Sequence, residues 1–116
     1  EINFIVLAGF LLKIPLQLTN RFINKIINIH PSLLPLYGGK GMYGLRVHQK
    51  VFESKDKETG ITIHFVNNQY DDGKIIFQAK CPIESNMTIK SIMKKVHELE
   101  IRFFPRVIES VLNESN

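Results

Sequence analysis

The apolar runs Phe4-Ile5-Val6-Leu7-Ala8 and Ile26-Ile27-Asn28-Ile29 constrain the fold of this chain more than any other feature. Each is short, β-branched and almost uninterrupted, the pattern of a strand buried on both faces of a parallel sheet. Gly9 and Pro15 end the first run, and Thr19 can cap a short helix over residues 20–25 before the second. Strand, helix and strand in close succession form the βαβ unit of an α/β fold. The first run begins almost at once and no initiator Met precedes it. A central strand in that position leads us to expect further sheet ahead of it.

Residues 31–44 form a loop rich in Pro and Gly, and residues 45–54 are predicted helical with Val47, Val51 and Phe52 on one side. Lys55-Asp56-Lys57-Glu58-Thr59-Gly60 reads as a charged turn. Ile61-Thr62-Ile63-His64-Phe65-Val66 alternates as a half-buried strand does, with the two Ile and Phe65 on one face. After a loop over residues 67–73, Ile75-Ile76-Phe77-Gln78-Ala79 is a further strand, expected to pair antiparallel with the preceding one at the sheet edge. Beyond Thr88, a candidate N-cap, apolar residues at 89, 92, 93, 96, 99 and 103 make a core-facing helical stripe. Pro105 is expected to kink or break that helix.

At 116 residues the chain fits one small domain or part of a larger one. Its 44% hydrophobic and 22% charged content excludes a disordered tail. The fifteen Lys and Arg are scattered without aromatic interleaving, so the net charge of +4 suits a small anionic ligand and does not mark a nucleic-acid stripe. The single Cys81 cannot form an internal disulfide, which points to a reducing compartment. No run is long enough to cross a bilayer, and the N-terminus lacks a signal-peptide pattern.

In open α/β sheets, ligands bind beyond the carboxyl ends of the strands. Asn28 and His30 end the second strand two residues apart, so their side chains face the same way. Asp71 and Asp72 follow the third strand and can approach the same edge. An amide that donates to an oxyanion, an imidazole that shuttles a proton or bears charge, and a carboxylate that raises its pKa make a set fit for acyl transfer. Asp-Asp-Gly is also a common turn, and a polar residue before Pro often only begins a loop. His64, inside a strand, reads as a hydrogen-bonded structural residue. His48 can line the pocket or cap a turn. Cys81 has no activating neighbour in sequence, and the four His show no metal-ligand spacing. Gly38-Gly39-Lys40-Gly41 is not a nucleotide-triphosphate loop, because Met42 follows in place of Lys-Ser/Thr.

Four blocks in order carry a resemblance: Leu7-Ala8-Gly9-Phe10, Asn28-Ile29-His30-Pro31-Ser32-Leu33-Leu34-Pro35, Gly60-Ile61-Thr62-Ile63-His64-Phe65-Val66 and Tyr70-Asp71-Asp72-Gly73-Lys74-Ile75-Ile76-Phe77-Gln78-Ala79. They resemble the folate-dependent formyltransferase family, in its glycinamide-ribonucleotide branch, over nearly the whole chain. The resemblance implies the C-terminal part of a Rossmann-like sheet: βαβ, a helix, an antiparallel strand pair and a long final helix. It implies formyl transfer from 10-formyltetrahydrofolate to the amine of glycinamide ribonucleotide, in the cytoplasm and without a metal. Formyltetrahydrofolate deformylase, or an inactive folate- or partner-binding fragment, is the alternative.

By the same resemblance, Asn28, His30 and Asp71 are the catalytic trio, Asp72 standing where the family usually has a small residue. Folate contacts fall on Leu11, Leu12, Lys13 and Ile14, on Asn28, and on Asn67, Asn68, Gln69, Tyr70 and Asp71, with Phe10, Ile26 and Val66 as walls. Leu12 replaces a basic residue that holds the folate tail in many relatives, and Lys13 is the nearest cation. The stretch over residues 38–43 is longer than in many relatives. Three strand–helix units that open the family pattern, among them the Gly-rich phosphate cradle, have no counterpart here. The chain alone is therefore expected to be inactive or very weak, with a complementary N-terminal half or a homo-oligomer as partner to its open sheet edge.

Overall fold

The structure is a computed structural model and describes residues 5–8, 26–39, 41–66 and 74–115. The helix expected over residues 20–25 and the loop over residues 67–73 lie outside them. Four strands, β1 (Ile5–Ala8), β2 (Ile26–His30), β3 (Glu58–Phe65) and β4 (Ile75–Pro82), form one sheet in the order β1-β2-β3-β4. Helix α1 (Leu45–Glu53) lies between β2 and β3, and α2 (Ile89–Ser115) ends the fold. β1 and β2 pair in parallel, as a βαβ unit requires. β3 and β4 then continue the sheet antiparallel. No helix among the described residues is long and apolar enough to cross a membrane.

All five residues of β2 are buried, in keeping with a strand covered on both faces. β1 departs from that expectation. It is the outer strand among the described residues, with a neighbour on one side only, and Val6 is 44% exposed.

β3 begins three residues before the predicted strand, because Glu58, Thr59 and Gly60 pair with Pro82, Cys81 and Lys80 of an equally lengthened β4. The charged turn shrinks to the residues just after α1, where Lys55 takes a positive φ of 56°. The Glu58–Lys80 ion pair at 3.6 Å flanks the extension. Both side chains are exposed, so the ladder and not the pair accounts for the added length.

Ile27 and Ile29 of β2 join Ile61 and Ile63 of β3 on one face, where Val96, Val107 and Val111 of α2 complete the core. Leu99, Phe103 and Phe104 pack around it, Phe103 tilted against Phe77 with ring centroids 5.2 Å apart. The opposite face of β3 is also closed, which corrects the half-buried reading. The loop after β2 folds back over Thr62. The Thr62 hydroxyl donates to Ser32 O at 2.7 Å and accepts from Leu34 N and Gln78 Nε2, each at 2.9 Å. That uses one donated and two accepted bonds, the capacity of a hydroxyl. Thr62→Val should therefore cost about 2–3 kcal/mol, since three polar groups lose one partner together; the midpoint of urea unfolding measures it.

On α1 the buried face is Val47, His48 and Val51, and it packs toward α2. Phe52, expected on the same side as Val47 and Val51, is 44% exposed, and His48, three residues before Val51, takes the buried place. Thr88 caps α2 as expected: its Oγ1 accepts from Ser91 N, and Ser91 Oγ accepts from Thr88 N. Pro105 neither ends nor splits α2, which runs on to Ser115. The proline removes one donor, but Ile101, whose carbonyl loses its partner, is 65% exposed and water can take that place. Phe103, Phe104 and Val107 hold the helix to the sheet on either side of it.

Candidate active site

The even-numbered residues of β2 turn away from the core. Asn28 and His30 are only 5% and 4% exposed, and the ladder sets them opposite His64 and Thr62 of β3. His64 Nδ1 lies 2.9 Å from Phe65 O. A carbonyl oxygen only accepts, so Nδ1 carries the hydrogen, and in that tautomer Nε2 is the acceptor. Asn28 Nδ2, 3.4 Å away, therefore donates to it. That orients the Asn28 amide: one N–H is directed at His64, and among the described residues neither the second N–H nor the buried Oδ1 has a hydrogen-bond partner.

His30 Nε2 lies 2.7 Å from Tyr37 O and by the same reasoning donates to it. Nε2 is therefore protonated, and a second proton, when present, sits on Nδ1. An amide and an imidazole side by side at the carboxyl end of a strand can stabilise a developing oxyanion.

Both residues line a cavity of about 610 Å³. The start of α1 closes it on one side with Leu45 and His48, and α2 supplies Lys90, Lys94 and Glu100 on another. Burial, and then the charge of His30, push the His48 imidazole below its ordinary pKa. Its Nδ1 is buried and unpaired among the described residues. Below about pH 6.5 the unfolded chain protonates at this position while the folded chain resists it. Stability should thus be complete above pH 6.5 and fall as the pH drops from there through the folded-state pKa. Urea unfolding at pH 7.5 and 5.5 should show a smaller loss in His48→Gln; equal losses would contradict this account.

The structure brings Asn28 and His30 together as expected. Asp71, Asp72 and the folate-contact residues Leu11, Leu12, Lys13, Ile14, Asn67, Asn68, Gln69 and Tyr70 lie outside the described residues, as does Phe10. Cys81 is half-buried, and burial raises its thiol pKa, the environment of an unreactive cysteine. Among the described residues no three His, Cys, Asp or Glu side chains gather closely enough to hold a metal ion.

His64 is the structural residue expected, yet its place is within the site, where it sets the Asn28 amide. The α2 wall was not foreseen, and Met93, expected in the core stripe, is 40% exposed on that wall. The signal was present: positions 90, 93, 94, 97 and 100 form a second helical stripe beside the apolar one.

Comparison with known proteins places this geometry. The sequence profile of the formyl transferase family matches residues 1–108. The chain is 42% identical over 113 residues to the chloroplastic phosphoribosylglycinamide formyltransferase of Arabidopsis thaliana, covering 97% of the chain and 39% of that protein. It is 42% identical over 108 residues to the phosphoribosylglycinamide formyltransferase of Haemophilus influenzae, covering 93% of the chain and 49% of the relative. The crystal structure of the phosphoribosylglycinamide formyltransferase from Bacillus halodurans superposes with a TM-score of 0.88 at 33% identity, over 99% of this chain and 57% of that one. The chain thus spans between 39% and 57% of the length of these three proteins.

Proposed function

Because the chain belongs to the formyl transferase family, we propose that it carries the formyl-transfer centre of a phosphoribosylglycinamide formyltransferase of purine biosynthesis, with the cytoplasm as its compartment. The observation that carries this reading is the Asn28–His30 pair, buried, hydrogen-bonded into one orientation and lining a cavity at the carboxyl end of β2.

In this reading the amine nitrogen of glycinamide ribonucleotide attacks the formyl carbon of 10-formyltetrahydrofolate. A carbon–nitrogen bond forms, and the carbonyl electron pair moves to oxygen. The free Asn28 N–H and the Nδ1–H of a protonated His30 hold that oxyanion. Asp71 keeps His30 charged and relays, through water, the proton that leaves the attacking nitrogen. As the oxyanion collapses, the bond to N10 breaks, N10 takes a proton, and tetrahydrofolate leaves. Lys90 and Lys94 give the cavity a charge that favours a phosphorylated amine. The folate lies along residues 11–14 and 67–71.

The test joins this chain to the part of the Haemophilus influenzae relative that its match leaves uncovered. The product should formylate glycinamide ribonucleotide in a reaction that depends on 10-formyltetrahydrofolate, and the chain alone should turn over far more slowly. Formate release without transfer would assign a deformylase instead, and tight folate binding without turnover would assign a binding module.

A further inference from the structure

Tyr37 sits in the left-handed backbone region at φ 55°, an uncommon place for a bulky residue and one that persists only where surrounding contacts over-determine it. Two contacts do so from opposite sides. The main-chain carbonyl accepts the His30 Nε2–H at 2.7 Å. The phenol donates to Asp56 Oδ2, also at 2.7 Å, nineteen residues along the chain in the turn between α1 and β3. Elsewhere in the loop Leu34 N donates to Thr62 and Ser32 Oγ donates to Leu36 O, and Ser54 is a second side-chain partner of the phenol. Burial raises the phenol pKa; Ser54 opposes the rise and Asp56 adds to it, so the hydroxyl keeps its proton and remains the donor.

We propose that Tyr37 and Asp56 are positioning residues for His30: the phenol–carboxylate bond fixes the Tyr37 backbone, and its carbonyl holds the imidazole as the Nε2–H tautomer with Nδ1 as the reacting edge. Neither residue reaches the cavity, whose lining near this loop begins again at Met42. They act through the loop alone. The consequence for catalysis rests on the formyl-transfer reading; the tautomer control does not.

The test uses the full chain labelled with 15N-histidine, as the parent and as Tyr37→Phe, Asp56→Ala, Asp56→Asn and the double variant Tyr37→Phe/Asp56→Ala. Long-range 15N–1H spectra at pH 8 report which ring nitrogen bears the proton. The parent His30 should be the Nε2–H form. Tyr37→Phe and Asp56→Ala should each shift population toward the Nδ1–H form, and the double variant should go no further than either. Asp56→Asn, whose amide oxygen still accepts from the phenol, should restore the parent spectrum.

A His30 tautomer unchanged in both single variants overturns the proposal, and so does a lowered unfolding midpoint with no tautomer change. Asp56 is half-buried in an otherwise exposed turn, so Asp56→Ala keeps the test open should Tyr37→Phe not fold. In the joined enzyme both single variants should lower kcat about tenfold at unchanged KM. A tautomer that responds in a joined enzyme without formyl transfer would support the positioning role and count against the proposed activity.

Discussion

Replacing His30 by alanine should lower formyl transfer about a thousandfold while the affinity for a 10-formyl folate analogue changes by no more than about threefold. The asymmetry follows from where the imidazole stands. It ends β2, almost wholly buried, with Nε2 committed to a backbone carbonyl. A charged imidazole has little to offer a neutral formyl group and much to offer the oxyanion formed from it. The loss should therefore fall on kcat, in the joined enzyme, with equilibrium binding as the control. Equal losses in turnover and in affinity would make His30 a ligand anchor and remove it from the chemistry.

The second large effect is on stability. Gly60 sits in β3 opposite Lys80, beside the Ile61–Ala79 pair. A Cβ there would fall inside the van der Waals envelope of the Ala79 carbonyl oxygen and 2.8 Å from Leu33 Cδ2. The leucine end can rotate away, but the carbonyl belongs to the β4 backbone and cannot. Gly60→Ala should thus force β3 and β4 apart where they join the loop after β2, at a cost of about 3 kcal/mol. The urea midpoint should fall accordingly and expose the Thr62 bonds to water. An unchanged midpoint would mean that β4 can shift without penalty, and the tight strand contact would lose its significance.

Much of the site was legible in the sequence because its chemistry lies in a strand of period two. Asn28 and His30 share a face whatever surrounds β2, and the apolar Ile27 and Ile29 that alternate with them show which face is the core. What could not be read depends on partners distant in the chain. That His64 orients Asn28 follows from an antiparallel register that no local pattern announces. Lys55 to Gly60 reads as a turn by charge and glycine content, yet half of it is strand, since pairing with β4 outweighs weak local propensity. Phe52 reads as sharing a side with Val47 and Val51, but helix geometry gives the buried position to His48, which lines the cavity. Pro105 by itself predicts a kink or a break, yet α2 runs through it; the tertiary packing of Phe103, Phe104 and Val107 offsets the loss of one hydrogen bond. The second stripe of α2 was visible in the spacing, but polar residues on a helix ordinarily face solvent, and only the fold turns them toward a cavity.

The strict alternation in β2 also bears on how such a chain can change over generations. A single residue inserted or deleted between Ile26 and His30 would turn the isoleucines toward the cavity and the amide and imidazole into the apolar interior. Lineages should therefore tolerate point substitutions in this strand far better than changes in its length. The loop that follows carries glycines at φ 92° and 83° and little regular structure. It can absorb added residues between Tyr37 and Gly44 without disturbing the register behind it. Variation in length should collect on one side of Tyr37 and stop abruptly at the other.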